Sequence, residues 1–411
     1  MPLSSFLPSP WTLLKLAGGS LLLIVGGGGT ALYLLQTRLI YPANLPSGSR
    51  ENVPHPDEFG ITPFEEVDLT APDGVRIKAF LMPYQAAGVK MEDRPTVLLL
   101  HANAGNVGHR LPIAKVFWEK MRCNVLALSY RGYGHSEGSP TEKGLKLDSQ
   151  TALDFLLSHP RLDKTPIFPY GQSIGGAVAI HLASQNATRL KGLIIENTFL
   201  SLPDLIPHIM PYLTPFLPYL LHQIWPSKDA IAKLPEDFPV LFLAGQRDEL
   251  VEPGQMKGLF ERCRSRRKEW KSFEYGTHND TCIQPHYFAH IARFITSVCN
   301  LPLPFAFASS FPSSTSPPAK PAAIPASPTP SGPSSSDPVI VPPSPSRSRT
   351  SSDEDAKSSG GESFELVEAE AEETEGAKLE NKEEISAGSM GLKEETEEVR
   401  REVKERVKAE L

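Results

Sequence analysis

Residues 167–184 read IFPYGQSIGGAVAIHLAS. Ile167 to Gly171 is a short apolar run, the kind that suits a strand covered on both faces. Gly175 to Ser184 (GGAVAIHLAS) is a helix candidate. Between them stands Gly171-Gln-Ser173-Ile-Gly175, a G-x-S-x-G turn. In that setting the serine sits on a sharp, strained strand-to-helix turn, and glycine is needed where a side chain would collide with crossing backbone. Five residues of this kind recur by coincidence, and the bland alternative is an ordinary turn serine. The strand before and the Gly-Ala helix after make Ser173 a candidate nucleophile.

Similar apolar runs recur on both sides: Pro95–Leu100, Cys123–Ser129, Leu190–Glu196 and Pro239–Gly245. Gly144–His159 carries apolar residues at three- and four-residue spacing, a helical pattern. Strand–helix alternation of this kind predicts an α/β fold with a mostly parallel central sheet flanked by helices. Upstream, residues 64–69 and 75–81 alternate in polarity around Ala71-Pro-Asp-Gly74, which reads as an antiparallel hairpin at a sheet edge. Ligands in such folds bind at the carboxyl ends of the parallel strands.

The remaining chemistry stands at those ends. Gly245 is followed by Gln-Arg-Asp248-Glu249, which puts a carboxylate where it can orient an imidazole; Glu249 is the adjacent rival. His278 lies on a turn, Gly276-Thr-His278-Asn-Asp280, before an apolar helix at Tyr287–Val298. The order Ser…Asp…His is the one this fold uses, so Ser173, Asp248 and His278 are the predicted catalytic set. The loop His101-Ala-Asn103-Ala-Gly-Asn106 follows the first parallel strand. Its Asn103 amide and the amide of Ile174, after the nucleophile, are the expected oxyanion donors. His101 is read as a loop pin rather than a catalyst. Ser129–Gly138 is Gly-rich but lacks Walker spacing, and reads as a tight structural loop at the rim. No metal or organic cofactor is required by this chemistry.

HANAGNVGHR (101–110), SYRGYGHSEG (129–138), YGQSIGGAVA (170–179), ENTF (196–199), LAGQRDELV (243–251) and GTHNDT (276–281) together resemble the α/β-hydrolase superfamily. More narrowly they are similar to the α/β-hydrolase domain-containing protein 13 branch, which includes the fungal bud-emergence (BEM-type) proteins. The resemblance runs from about Leu32 to Asn300. It implies a single-pass, signal-anchored membrane protein with a Ser/Asp/His triad. Related branches contain esterases, lipid hydrolases and protein depalmitoylases. One departure is Ala102, where the family usually carries glycine.

Beyond this core, residues 1–15 form an N-terminal stub and 16–36 an uncharged run, LAGGSLLLIVGGGGTALYLLQ, long enough to cross a bilayer as a helix. A cleaved signal peptide would be shorter and end in small residues. A linker is expected at 37–63 and the hydrolase domain at 64–300. A Pro-, Leu- and aromatic-rich lid at about 200–237 implies an apolar or acyl-bearing substrate, with plain core packing as the alternative. Residues 301–352 are Pro/Ser-rich, which predicts a disordered linker, and 353–411 form a charged, mostly disordered tail suited to a protein partner. The expected location is a membrane, in the endoplasmic reticulum or another endomembrane. Lys15 on one flank and Arg38 and Arg50 on the other leave orientation open.

The formal charge of −7 gives no nucleic-acid footprint. The sequons at Asn186 and Asn279 would be usable only in a lumenal body. Cys123, Cys263, Cys282 and Cys299 form no CxxC pair, and leave a disulfide or free thiols open. The predicted activity is hydrolysis of an ester or thioester through an acyl-enzyme on Ser173. The rivals are a silent hydrolase-fold scaffold for membrane or polarised-growth organisation, and a serine peptidase or amidase.

Overall fold

The computed structural model describes residues 9–310, apart from the side chains of residues 10, 21–25 and 309. Its centre is one eight-stranded sheet: β1 (Glu65–Thr70), β2 (Arg76–Met82), β3 (Thr96–Leu100), β4 (Asn124–Ser129), β5 (Ile167–Gln172), β6 (Leu193–Glu196), β7 (Val240–Gly245) and β8 (Lys268–Phe273). The spatial order is β1-β2-β4-β3-β5-β6-β7-β8. The expected hairpin is present: β1 and β2 pair antiparallel, closed by the turn at 71–74 with Gly74 at φ +82°. β2 also lies antiparallel to β4, and every pairing from β4 to β8 is parallel.

The helices are α1 (Pro10–Ile40), α2 (Leu111–Lys115), α3 (Glu142–Ser158), α4 (Ile174–Asn186), α5 (Leu202–Ile209), α6 (Leu217–Leu220), α7 (Ser227–Ile231), α8 (Pro253–Arg262) and α9 (Tyr287–Cys299). The apolar strand runs explain the layering, because successive side chains face opposite sides. Leu98 and Leu100 of β3 join the core beneath α3, α4 and α8, whereas Val97 and Leu99 join the core beneath α2 and α9. Both faces of the sheet are therefore buried, as continuous apolar strands require.

This order places a switch point at β3. The chain runs from β3 to β4 on one side, then crosses to β5 on the other. The loops leaving β3 and β5 diverge there, opening the crevice in which such folds bind ligands.

The short helix α2, the strand β8 and the helix α8 have no counterpart in the strand and helix patterns read from the sequence. β8 (KEWKSF) is charged and mostly half-buried, because an edge strand needs few apolar residues. α8 begins at Pro253 directly after the Asp248 loop and buries only Gln255, Met256 and Leu259.

The uncharged run at 16–36 lies within α1, a single helix of 31 residues. Its most apolar part, 21–25, falls outside the described side chains. Among the described residues no helix is long and apolar enough to cross a membrane. Residues 37–63 are not a free connection: Tyr41, Leu45 and Ile61 are buried, and Asn106 Nδ2 donates to the carbonyls of Ser49 and Asn52. The region about 200–237 is broken into α5, a 3-10 turn at Pro211–Phe216, α6 and α7, as dense proline dictates. Its backbone is tied to α1. Gln36 Nε2 donates to Leu220 O at 2.8 Å, and Gln36 Oε1 accepts from His222 N at 3.0 Å.

The ordered domain continues past 300, with Pro304 and Phe307 buried and a 3-10 turn at Phe305–Ser310. The rest of the Pro/Ser-rich stretch, the charged tail at 353–411 and residues 1–8 lie outside the described residues. The four cysteines are free thiols, three of them buried.

Candidate active site

Ser173 stands alone between β5 and α4, at φ +55° and ψ −123°. This left-handed backbone is unfavourable for a residue with a Cβ and persists only where the surroundings enforce it. Two glycines enforce it. A Cβ on Gly171 would lie 2.1 Å from the carbonyl oxygen of Gly175, and one on Gly175 would lie 2.1 Å from the carbonyl oxygen of Leu100. The turn is thus wedged against itself and against the end of β3. Ser173 occupies the N-cap position of α4, yet its hydroxyl caps nothing, which leaves Oγ free for another partner.

That partner is His278. Its Nε2 lies 3.0 Å from Ser173 Oγ, and its Nδ1 lies 2.8 Å from Asp248 Oδ2. A carboxylate only accepts, so Nδ1 carries the ring proton and Nε2 presents its lone pair to the serine hydroxyl. All three residues are buried. The other carboxylate oxygen, Asp248 Oδ1, accepts the amides of Leu250 at 2.9 Å and Val251 at 2.7 Å. Glu249, the sequence rival, faces elsewhere: its Oε2 accepts the main-chain N–H of His278 at 3.4 Å. The structure therefore brings Ser173, Asp248 and His278, separated by up to 105 positions, into one chain of hydrogen bonds.

The loop after β3 lies beside this group. The amides of Asn103 and Ile174 make no hydrogen bond to any other described residue, so both N–H groups remain available. Asn103 is held by its other atoms: its carbonyl accepts Tyr133 Oη at 2.8 Å, and its Nδ2 donates to Ile40 O at 3.3 Å. His101 is buried beneath the loop with Nδ1 2.7 Å from Ala102 O and its ring against Tyr130 and Tyr133. Burial pushes its pKa down to about 3, which keeps it neutral and suits a pin. The Gly-rich loop at 129–138 is structural too. Arg131 is clamped by Asp148 and Asp73, and holds the loop to α3 and to the β1–β2 turn.

A second layer was missed in the sequence, although ENTF was noted as a motif. Glu196 O accepts the main-chain N–H of Ser173 at 3.0 Å, and Thr198 Oγ1 donates to Ser173 O at 2.7 Å. Gln172 Nε2 donates to His278 O at 2.8 Å. The Glu196 side chain is fully buried. Tyr170 and Tyr287 both donate to its Oε2, at 2.7 and 2.6 Å, and burial raises its pKa. The available signal was positional: polar residues directly at the carboxyl ends of β5 and β6, where core strands otherwise stay apolar. Of the two sequons, Asn186 is buried, with its Nδ2 donating to Gln150 Oε1 and Leu182 O. The folded domain presents no acceptor amide there.

An alpha/beta hydrolase fold profile matches residues 95–224. Protein bem46 of Schizosaccharomyces pombe is 50% identical over 264 residues, covering 64% of this chain and 87% of that protein. A Saccharomyces cerevisiae protein named as an uncharacterized membrane protein, YNL320W, is 39% identical over 69% of this chain and 97% of its own length. The alpha/beta hydrolase domain-containing protein WAV2 of Arabidopsis thaliana is 36% identical over 62% of this chain and 84% of its own. Among solved structures, an alpha-beta hydrolase from Vibrio vulnificus superposes with a TM-score of 0.50 at 20% identity, covering 63% of this chain and 92% of that one.

Proposed function

The chain belongs to the α/β-hydrolase family, in the branch of bem46, and from that premise we propose that it is a serine hydrolase that cleaves an ester or thioester through an acyl-enzyme on Ser173. The observation that carries this is the unbroken contact from Ser173 Oγ to His278 Nε2 to Asp248, at 3.0 and 2.8 Å.

In the proposed reaction His278 Nε2 takes the proton of Ser173 as Oγ attacks the substrate carbonyl. Asp248 holds the imidazole in the competent tautomer and stabilises its charged form. The amides of Asn103 and Ile174 receive the oxyanion; one such donor lowers the barrier by about 2.7–4 kcal/mol. Nε2 then returns the proton to the departing alcohol or thiol. Water, activated by the same imidazole, attacks the acyl-serine and releases the acid.

The apolar character of residues 205–224, which contain no Asp, Glu, Lys or Arg, favours an acyl-bearing substrate. Tyr212, Phe216 and Tyr219 of this segment are exposed, and exposed apolar clusters mark interaction surfaces. Together with the uncharged run in α1 and the membrane designation of the yeast relative, this supports attachment to a bilayer through α1.

Labelling of the full-length protein with a fluorophosphonate probe tests the chemistry. Wild type is expected to label and Ser173→Ala to show none. A wild type that resists labelling would favour the catalytically silent scaffold. Carbonate extraction of the chain from membranes tests the anchor; release into the soluble fraction would refute it.

A further inference from the structure

Resting on the serine-hydrolase reading above, we propose that Asn197 is a positioning residue that aligns His278 with Ser173 and with the segment carrying Asp248.

Asn197 follows β6 directly, is buried, and adopts φ +42°, a left-handed conformation that Asn tolerates better than most residues. Its amide group is fully used. Nδ2 donates to Thr277 O at 3.0 Å, to His278 O at 3.3 Å and to Thr281 Oγ1 at 3.0 Å. Oδ1 accepts the N–H of Gly245 at 2.8 Å, at the end of β7 three residues before Asp248. Its own N–H donates to Leu243 O at 3.2 Å. One side chain thus joins the histidine turn to the strand that carries the acid.

The flanking residues complete the connection, since Glu196 O and Thr198 Oγ1 hold the two main-chain polar groups of Ser173. Three consecutive residues therefore reach all three segments of the proposed triad. The histidine turn is a loop without regular structure. It is held also by Arg247 N–H to Gly276 O at 2.9 Å, by Glu249 Oε2 on the His278 N–H at 3.4 Å and, from β5, by Gln172 Nε2 to His278 O at 2.8 Å. The Asn197 amide is the group that ties the carbonyls of both Thr277 and His278 to the end of β7. Thr281 relays the clamp, because its Oγ1 accepts from Asn197 and donates to Thr277 O at 2.7 Å. It is also wedged between glycines: a Cβ on Gly245 or Gly276 would lie 2.4 or 2.5 Å from Thr281 Oγ1. An imidazole must be aimed to within a fraction of an ångström to take the serine proton, and this clamp supplies the aim.

The test uses full-length protein in detergent and the variant Asn197→Asp. It keeps side-chain size, tolerance of the left-handed backbone and the acceptor for Gly245. It turns the donations to Thr277 O and His278 O into oxygen–oxygen repulsion. The expected result is a folded protein whose fluorophosphonate labelling is slower by about 100-fold. In proton NMR the downfield Nδ1–H signal of His278 is displaced or lost, which loss of stability alone would not cause in a folded sample. A folded Asn197→Asp protein that labels within about threefold of wild type and keeps that signal overturns the proposal, since about 100-fold is what misalignment costs. If Asn197→Asp does not fold, Thr281→Val against Thr281→Ser decides. Valine should slow labelling by about tenfold, and serine, which restores the hydroxyl, should recover most of it. Equal rates for the two variants overturn the proposal. If wild type itself does not label, the hydrolase reading fails, and the His278 signal in the same variants still tests the clamp.

Discussion

Asp248 meets the imidazole of His278 through Oδ2 at 2.8 Å, whereas its neighbour Glu249 reaches only the main-chain N–H of that histidine, at 3.4 Å. Two adjacent carboxylates are thereby given different work. Asp248→Asn is expected to lower the rate of serine labelling or ester hydrolysis by about 10³- to 10⁴-fold, because the amide favours the wrong imidazole tautomer. Glu249→Gln removes the charge but keeps an oxygen that can accept the same N–H, and should cost no more than about 1 kcal/mol, or about fivefold. Comparable losses for the two variants would make the assignment of the acid wrong.

The turn that carries Ser173 is set by steric exclusion, and exclusion is measurable. Gly175→Ala puts a methyl group against the carbonyl of Leu100 and Gly171→Ala puts one against that of Gly175, each at 2.1 Å. Backbone on both sides must shift, so each substitution should destabilise the fold by about 3 kcal/mol. Urea unfolding checks this. Gly88→Ala is a weaker control: nothing lies within 4 Å of its added methyl, although its φ of +74° still carries backbone strain.

Arg131 lies between two carboxylates of unequal burial. Asp148 is inaccessible to solvent, while the Asp73 side chain is 39% exposed. Arg131→Met leaves the Asp148 charge buried without its partner and should cost about 3–5 kcal/mol. Asp73→Asn removes a solvated partner and should cost about 1 kcal/mol or less. Thermal melts of the two variants should rank in that order.

His101 gives the fold a pH dependence of defined sign. Its folded pKa is about 3, depressed by burial below the ordinary 6.5, although its bond to Ala102 O works the other way. As pH falls below about 6.5 the unfolded chain binds a proton that the folded chain refuses, so stability is complete above that value and is lost on acidification toward 3. The slope for one such proton is about 1.4 kcal/mol per pH unit. His101→Gln lacks this titration. The stability lead of wild type over the variant should therefore shrink steadily from about pH 7 to about pH 4, as read by urea midpoints. A lead that does not change with pH would mean that His101 takes up its proton as readily in the fold as in the unfolded chain.

Much of this architecture was legible in the chain because it depends on local rules. Five apolar runs became parallel strands, since only strands covered on both faces tolerate such composition. Ala71-Pro-Asp-Gly74 closed a hairpin because its glycine takes a positive φ. G-x-S-x-G revealed its serine because the glycines are required by close approach within a few residues. β8 escaped because an edge strand needs no apolar signature.

What the amino-acid order determined by itself was the set of groups able to do the chemistry and the strand ends that carry them. Only the tertiary structure put Asp248, and not Glu249, against the His278 imidazole, because adjacent carboxylates differ in direction, and direction depends on the packing of the loop. It alone joined Gln36 of α1 to Leu220 and Asn197 to the turn of His278. Such bonds link positions far apart in the chain, and no local spacing encodes them.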